Sequence, residues 1–281
     1  HQEARRQRQM CIRDRYKKTN FEMTLSEFKP IFMYEYLHRI LGRIIGIIFF
    51  IPLLYFTLRK AIPPVLIPRL YLLLILGGFQ GVLGWYMVKS GLVDDPNVSQ
   101  YRLTAHLGMA VFIYSLILWT VFDLSLNYNH AIRSRIKWMS STLTLLIFLM
   151  ILSGGLVAGT RAGIPFPTWP LMGDTFIPPQ IYSMNPSWLS AFEDMATIQF
   201  NHRMFAYLLT IFIVIFAIVL LGSNVPRFLK NGTTVLLFVL SLQVVLGIST
   251  LLFYIPIPVA AAHQVGAIAL LSVSLFITHS C

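Results

Sequence analysis

Four of the seven histidines in this chain stand at the start of long apolar runs, and we expect each of them to open a helix. They are His38, His106, His202 and His263. Polar side chains are costly at membrane depth and tend to mark function there, so four such histidines indicate a functional role. Two neutral imidazoles from facing helices can bind a heme iron from both sides, with the macrocycle between the helices. We therefore interpret these residues as two pairs of heme-iron ligands.

Zinc is the rival metal for histidine ligands. A structural zinc site gathers four ligands in one cluster, commonly with cysteine. Because Cys11 and Cys281 lie near opposite ends of the chain, neither a cysteine metal site nor a disulfide framework is indicated. We expect the remaining histidines, which are His1, His130 and His279, to be solvated side chains.

A carboxylate lies three residues before the first of the four histidines. Glu35 precedes His38, whereas the matching position before His202 is Gln199. The E-x-x-H spacing puts carboxylate and imidazole on one helical face, one turn apart. A carboxylate can accept a proton or stabilise developing positive charge, and an amide cannot take up that proton at neutral pH. We predict that Glu35 is catalytic; the alternative is a helix-start residue favoured by the helix dipole.

An arginine follows the first histidine of each pair. Arg39 and Arg203 could donate bidentate hydrogen bonds to heme propionates. The equally weighted alternative is that these arginines contact lipid headgroups at the outer surface of the membrane.

The elements that would position these side chains are membrane-spanning helices. The chain is 56% hydrophobic and only 12% charged, whereas a soluble domain carries roughly 25% charged residues. Apolar runs long enough to cross a hydrocarbon core of roughly 30 Å recur along the chain. They cover approximately 37–57, 69–88, 105–125, 138–159, 202–222, 234–254 and 262–279. We therefore predict an all-α integral membrane protein.

The formal charge of +11 is explained by topology rather than by a nucleic-acid partner. Much of it lies in residues 1–18, and the rest is concentrated in alternate short loops. By the positive-inside rule these loops face the cytoplasm or the mitochondrial matrix. Their basic residues are Arg59, Lys60, Arg69, Arg133, Arg135, Lys137, Arg227 and Lys230. The histidines are then expected near the periplasmic or intermembrane-space side.

The two halves of the chain repeat when their motifs are aligned. YEYLHRILGR (34–43) corresponds to IQFNHRMFAY (198–207), FQGVLGWYM (79–87) to LQVVLGIST (242–250), and TAHLGMAVF (104–112) to AAHQVGAIA (261–269). The repeat predicts that His38 pairs with His106 and that His202 pairs with His263. It also predicts two four-helix half-bundles of parallel topology.

The first half of the chain lacks a counterpart to one helix of the second half. The helix that ends SGGLVAGTRAGIPFPTWP (153–170) has no counterpart there. We expect an N-terminal half-bundle at 19–137 that lacks its first helix, and a C-terminal half-bundle at 138–281. Residues 1–18 have no apolar core and so are not a secretory signal; we interpret them as a non-native, disordered leader.

Several long motifs resemble the heme A synthases of aerobic bacteria and mitochondria. They are EYLHRILGR, FQGVLGWYMVKSGL, VSQYRLTAHLG, SGGLVAGTRAG, FNHR and QVVLGISTLLFYIPIPVAAAHQ. The resemblance implies an eight-helix enzyme of two halves. Its reaction would oxidise the methyl group at pyrrole carbon 8 of heme O to a formyl group, giving heme A for cytochrome c oxidase.

The resemblance also implies a role for each site residue. His38 and His106 match the ligands of the substrate, heme O. His202 and His263 match the ligands of a resident heme b. Glu35 matches the functional glutamate of the family, which stabilises a carbocation-like intermediate or handles a proton. Two hydroxylations would give a geminal diol that loses water to form the aldehyde.

The resemblance further implies partners and a location. Heme O synthase and an electron-transfer partner are expected, the chain would lie in a lipid bilayer, and self-association into a homo-oligomer is left open. A bacterial inner membrane is favoured, with the mitochondrial inner membrane as the alternative. A diheme b-type electron carrier would explain the four histidines equally well, but not the difference between Glu35 and Gln199. A transporter is disfavoured because the ionisable residues lie mostly at helix ends.

Overall fold

The computed structural model describes residues 24–90, 98–126 and 132–281. These residues form eight α-helices, numbered here α1 Leu25–Leu58, α2 Ile67–Ser90, α3 Gln100–Ser125, α4 Ser134–Thr160, α5 Ser190–Glu193, α6 Met195–Leu221, α7 Arg227–Leu252 and α8 Ile257–His279. A short 3-10 helix, Ser187–Leu189, precedes α5. The described part of the chain contains no β-strand beyond one isolated bridge. The predicted leader and His130 lie outside it.

Seven of these helices are long and apolar enough to cross a membrane, and α5 is the exception. Each of the seven corresponds to one of the apolar runs in the sequence. The prediction of an all-α integral membrane protein is therefore confirmed.

The helices extend beyond the apolar runs at their N-termini, because polar caps can begin a helix before its apolar part. Asp194 caps α6, and its Oδ2 accepts a hydrogen bond from the backbone N–H of Thr197 at 2.8 Å. At α1, Thr24 and Glu27 form a capping box. The expectation that each histidine opens its helix is therefore wrong, since His202 is the eighth residue of α6 and His38 the fourteenth of α1.

The described residues up to Arg102 form one compact unit, which contains α1, α2 and the first residues of α3. Only Leu53 and Leu73 are buried hydrophobic residues among its described positions. Most of the large apolar side chains of α1 are exposed on the protein surface. In a bilayer, lipid tails cover such a surface.

Residues Leu103–Cys281 form the second compact unit. Within it α4, α6, α7 and α8 form a four-helix bundle in which α4 and α7 each contact both α6 and α8. Its core contains Leu143, Ile147, Ile213, Phe216, Leu236 and Leu271, none of them more than 1% exposed. Because lipid tails are as apolar as these side chains, close packing rather than removal from water stabilises such a core.

Helix α3 packs against this bundle through small and polar side chains. The Tyr114 hydroxyl lies 2.8 Å from the Ser272 hydroxyl of α8. Gly155 of α4 faces Thr104 and Leu107, and a Cβ at Gly155 would stand 3.0 Å from the Thr104 hydroxyl oxygen. Small residues and interhelical hydrogen bonds of this kind are typical of membrane helix contacts.

One histidine that was expected to be solvated is packed instead. His279 Nε2 lies 2.8 Å from Asp123 Oδ1, and the imidazole makes an edge contact with the ring of Trp119 at 5.0 Å. Its side chain is 12% exposed. The expectation is wrong because the last turn of α8 lies against α3, which the position of His279 near the chain end did not indicate.

Candidate functional site

His202 on α6 is fixed by a side chain of α4. Its Nδ1 atom lies 3.0 Å from the hydroxyl oxygen of Ser153. A Cβ at the neighbouring Gly154 would stand 3.6 Å from Cε1 of the same ring. The backbone of α4 therefore passes close beside the imidazole, and its serine fixes one of the two ring nitrogens.

His263 on α8 packs against a glycine of α7. A Cβ at Gly247 would stand 2.9 Å from Cε1 of His263, so only a residue without a side chain leaves room for the ring in this position. Gln243, one turn earlier on α7, donates a hydrogen bond from Nε2 to the His263 carbonyl oxygen at 2.7 Å. Its Oε1 atom occupies the space that a Cβ at Gly266 would need.

The structure brings His202 and His263 together inside the four-helix bundle. The two imidazoles are close enough to interact electrostatically. The Nδ1 atom of His263 is buried and has no hydrogen-bond partner among the described residues. Across residues 24–90, 98–126 and 132–281, no group of three or more His, Cys, Asp or Glu side chains could hold a metal ion. Two neighbouring imidazoles inside one helix bundle are a donor set that suits a heme iron.

Two buried polar residues of α6 hold the outer segment that follows α4. Gln199 is 2% exposed and donates from Nε2 to the Phe166 carbonyl oxygen at 3.0 Å. Arg203, 6% exposed, donates from Nη2 to the same carbonyl at 3.0 Å and from Nη1 to the Leu171 carbonyl at 3.1 Å. Neither interpretation of Arg203 from the sequence anticipated these carbonyl contacts.

The charge of Arg203 is not neutralised by any carboxylate within the described residues. Its Nε atom is buried and lacks a hydrogen-bond partner there, as does the Oε1 atom of Gln199. A buried cation without a counter-ion is costly. The site therefore favours an anionic group beside Arg203.

Further contacts fold the segment 161–194 over the start of α6. The backbone N–H of Tyr182 donates to the Thr197 hydroxyl at 3.0 Å, and the Tyr182 phenol donates to Asn201 Oδ1 at 3.0 Å. Trp169 Nε1 donates to the Tyr207 hydroxyl at 3.1 Å. The segment is therefore an ordered cover on the histidine-bearing end of α6, and we call residues 161–194 the outer cover.

In the first unit, Glu35 forms an ion pair with Arg39, one turn further along α1. The side chains are 45% and 49% exposed, respectively. His38 lies between them in sequence and is also exposed. The spacing of carboxylate and imidazole on one helix is as predicted, but the sequence did not indicate that Arg39 pairs with Glu35.

His106 lies on α3, in the second unit, and is partly buried. Because His38 belongs to the first unit, the pairing of His38 with His106 stays a prediction.

Sequence reasoning gave no role to Ser153, Gln243 and Gly247. All three lie in motifs already singled out, SGG (153–155) and QVVLG (243–247). A serine beside two glycines in an apolar helix was the available signal, since small residues mark close helix contacts. What the sequence could not give was the partner, because the rotation of each helix decides which ring the serine meets.

The chain matches the model of the COX15-CtaA family, described as cytochrome oxidase assembly protein, over residues 1–275. Curated relatives that match most of this chain bear the name heme A synthase. The relative from Nitrosospira multiformis is 47% identical over 274 residues, which are 94% of this chain and 75% of the relative. Relatives from Nitrosomonas eutropha (43% identical, 93% of this chain and 75% of the relative) and Parvibaculum lavamentivorans (41%, 94% and 76%) are similar over the same extent.

Proposed function

This chain belongs to the COX15-CtaA family of cytochrome oxidase assembly proteins, and we propose that it is a heme A synthase. The observation that carries the proposal is the similarity, at up to 47% identity over 94% of the chain, to relatives of that name. The enzyme is an oxidoreductase of the membrane whose substrate is heme O. It oxidises the methyl group at pyrrole carbon 8 by two hydroxylations, in which water supplies the oxygen and four electrons pass to an electron-transfer partner. The resulting aldehyde hydrate then loses water.

His202 and His263 are the proposed ligands of a resident heme b. Three observations support this assignment: the two imidazoles are close enough to interact electrostatically, the glycine at 247 leaves room for the His263 ring, and the Nδ1 atom of His263 is buried without a described partner. When bound, a heme with two imidazole ligands supplies one-electron transfer. The protein orients both rings and, through its packed bundle, keeps water from them.

Arg203 is the proposed contact of a propionate group of that heme. The buried guanidinium uses two of its nitrogens on backbone carbonyls of the outer cover, and its Nε atom lacks a partner within the described residues. A propionate would neutralise the buried charge. Arg203 would then contact both the outer cover and the heme.

The substrate heme O is proposed to bind at His38 and His106, with Glu35 as the catalytic residue. Glu35 accepts a hydrogen bond from Arg39, which orients the carboxylate on its helix. The carboxylate would take up a proton or stabilise positive charge as the methyl group is oxidised. Arg39 has five N–H donors, so the contact with Glu35 leaves donors for a propionate of the substrate.

The histidine sites are proposed to lie on the periplasmic side of a bacterial inner membrane, opposite the basic loops. A site on that side, near the surface, gives an electron-transfer partner access from water. Heme O synthase would supply the substrate within the same bilayer.

Pigment analysis tests the proposal. Membranes that contain this protein and heme O synthase are extracted, and the hemes are separated by reverse-phase chromatography. Heme A or its hydroxylated precursor is expected. Heme b together with unaltered heme O would overturn the proposal and indicate an electron carrier that uses the same fold.

A further inference from the structure

His202 and His263 differ in the contacts that orient their rings. The inference drawn from this difference rests on the proposed heme b site. We propose that Ser153 is a positioning residue for His202. Its hydroxyl fixes the tautomer and orientation of the imidazole and makes His202 the more electron-donating of the two iron ligands.

The contact determines which nitrogen is left for iron. A neutral imidazole has one N–H donor and one acceptor nitrogen. Because Nδ1 of His202 lies 3.0 Å from Ser153 Oγ, Nε2 is the nitrogen left for iron, and with heme bound Nδ1 would keep the proton. That N–H donates to the serine oxygen, an interaction that raises the basicity of the ligand and fixes its ring.

His263 has no such support within the described residues. Its Nδ1 atom is buried and without a hydrogen-bond partner there, and the ring rests on Gly247. One ligand is therefore oriented by a hydrogen bond and the other by shape. Two ligands held in these different ways donate unequally to the iron.

Several hydroxyls of the spanning helices bond only within their own helix, and Ser153 differs from them. Ser115, Thr160 and Ser241 each donate to the carbonyl oxygen four residues earlier in their own helix. The hydrogen bond of Ser153 crosses from α4 to α6. The first three hydroxyls bond to carbonyls of their own helices. The hydroxyl of Ser153 instead positions a histidine of a neighbouring helix.

The test measures two properties of the bound heme in the purified full chain. These are the midpoint potential, from a spectroscopic redox titration, and the rate of heme transfer to excess apomyoglobin. Ser153→Ala removes the acceptor, so the potential should rise and heme loss should quicken about tenfold. Ser153→Thr keeps a hydroxyl and should behave as the wild type. Ser241→Ala, which removes an exposed hydroxyl from α7, is the matched control.

A second pair of variants guards against a folding defect in the alanine variant. Ser153→Thr and Ser153→Val have nearly equal shape, and only threonine has a hydroxyl. The valine variant should show the raised potential and the threonine variant should not. Equal potentials and equal heme loss in this pair would overturn the role of Ser153 while leaving the heme b site intact. A wild-type protein that binds no heme b would overturn the proposed site and this inference together.

Discussion

A carboxylate or amide stands four residues before an arginine on both α1 and α6, but the surroundings of the two copies of this pattern differ. On α1, Glu35 and Arg39 pair with each other along their own helix and are about half exposed. On α6, Gln199 and Arg203 are at least 94% buried, and both donate to the Phe166 carbonyl oxygen of the outer cover. One copy of the pattern is therefore open to its surroundings, and the other is used to attach a loop.

This comparison explains the residue that differs between the copies. Gln199 must donate a hydrogen bond to a carbonyl oxygen, which an ionised carboxylate cannot do. Glu35 must accept one from Arg39, and a carboxylate does so with charge assistance. The amide on α6 thus has a structural use of its own, whereas the carboxylate on α1 is the residue proposed for catalysis.

The largest expected effect comes from removing one histidine from each half. His202→Ala removes a proposed ligand of the resident heme, so the purified protein should lose heme b and form no heme A. His38→Ala should also form no heme A but should keep its heme b. Absorption spectra and reverse-phase analysis of the same preparations measure both. Loss of heme b in both variants alike would contradict the proposal that one half binds the substrate heme and the other binds heme b.

Removing the amide on α6 should loosen the outer cover. Gln199→Leu removes one donor to the Phe166 carbonyl oxygen without placing a carboxylate beside Arg203, and the lost hydrogen bond is worth about 1 kcal/mol. Limited proteolysis within 161–194 should therefore become about fivefold faster. Arg227→Lys, a change in a basic residue at the start of α7, is the control and should leave cleavage unchanged. Unchanged cleavage in the Gln199 variant would show that the carbonyl contacts do not hold the cover.

Filling the glycine beside the second histidine should weaken the fixed heme site. Gly247→Ala puts a methyl group within 2.9 Å of the His263 ring, so the ring must shift from its ligand position. Heme b should dissociate about tenfold faster, an effect of the size found for disturbed support of metal ligands. Gly77→Ala serves as the control because no atom lies within 4 Å of its added Cβ. Equal dissociation from both variants would mean that His263 does not depend on this packing.

The smallest expected effect lies away from both sites. His279→Ala removes the contact with Asp123 at the end of α8, which is worth about 1 kcal/mol. The melting temperature should fall by roughly 2–4 °C, with heme b content unchanged. A large loss of heme in this variant would show that the bundle transmits disturbance from one end to the other.

The sequence predicted which segments are helices better than it predicted the residues at which they begin. Each apolar run is a helix, since length and apolar composition are enough for a span. The starts were missed by several residues because capping residues such as Asp194 begin a helix in polar sequence. This error moved His202 from the first turn of α6 to the third.

The residue types of the site were predicted from the sequence, but their contacts were predicted only in part. His202 and His263 lie close enough to interact electrostatically, and their assignment as a pair of heme ligands stays a prediction. The contacts of Ser153 and Arg203 were not predicted, since they depend on helix rotation and on the path of the outer cover. Apolar composition alone does not specify either of these.

The most direct test of the account is heme extraction from the Glu35→Gln variant in membranes that also contain heme O synthase. The variant makes α1 resemble α6, and Glu27→Gln, a carboxylate on the same helix but outside the span, is its control. Heme b should be retained and heme A formation should fall at least about a hundredfold, with no fall in the control. Normal heme A in the Glu35 variant would contradict a catalytic role for the first-half carboxylate.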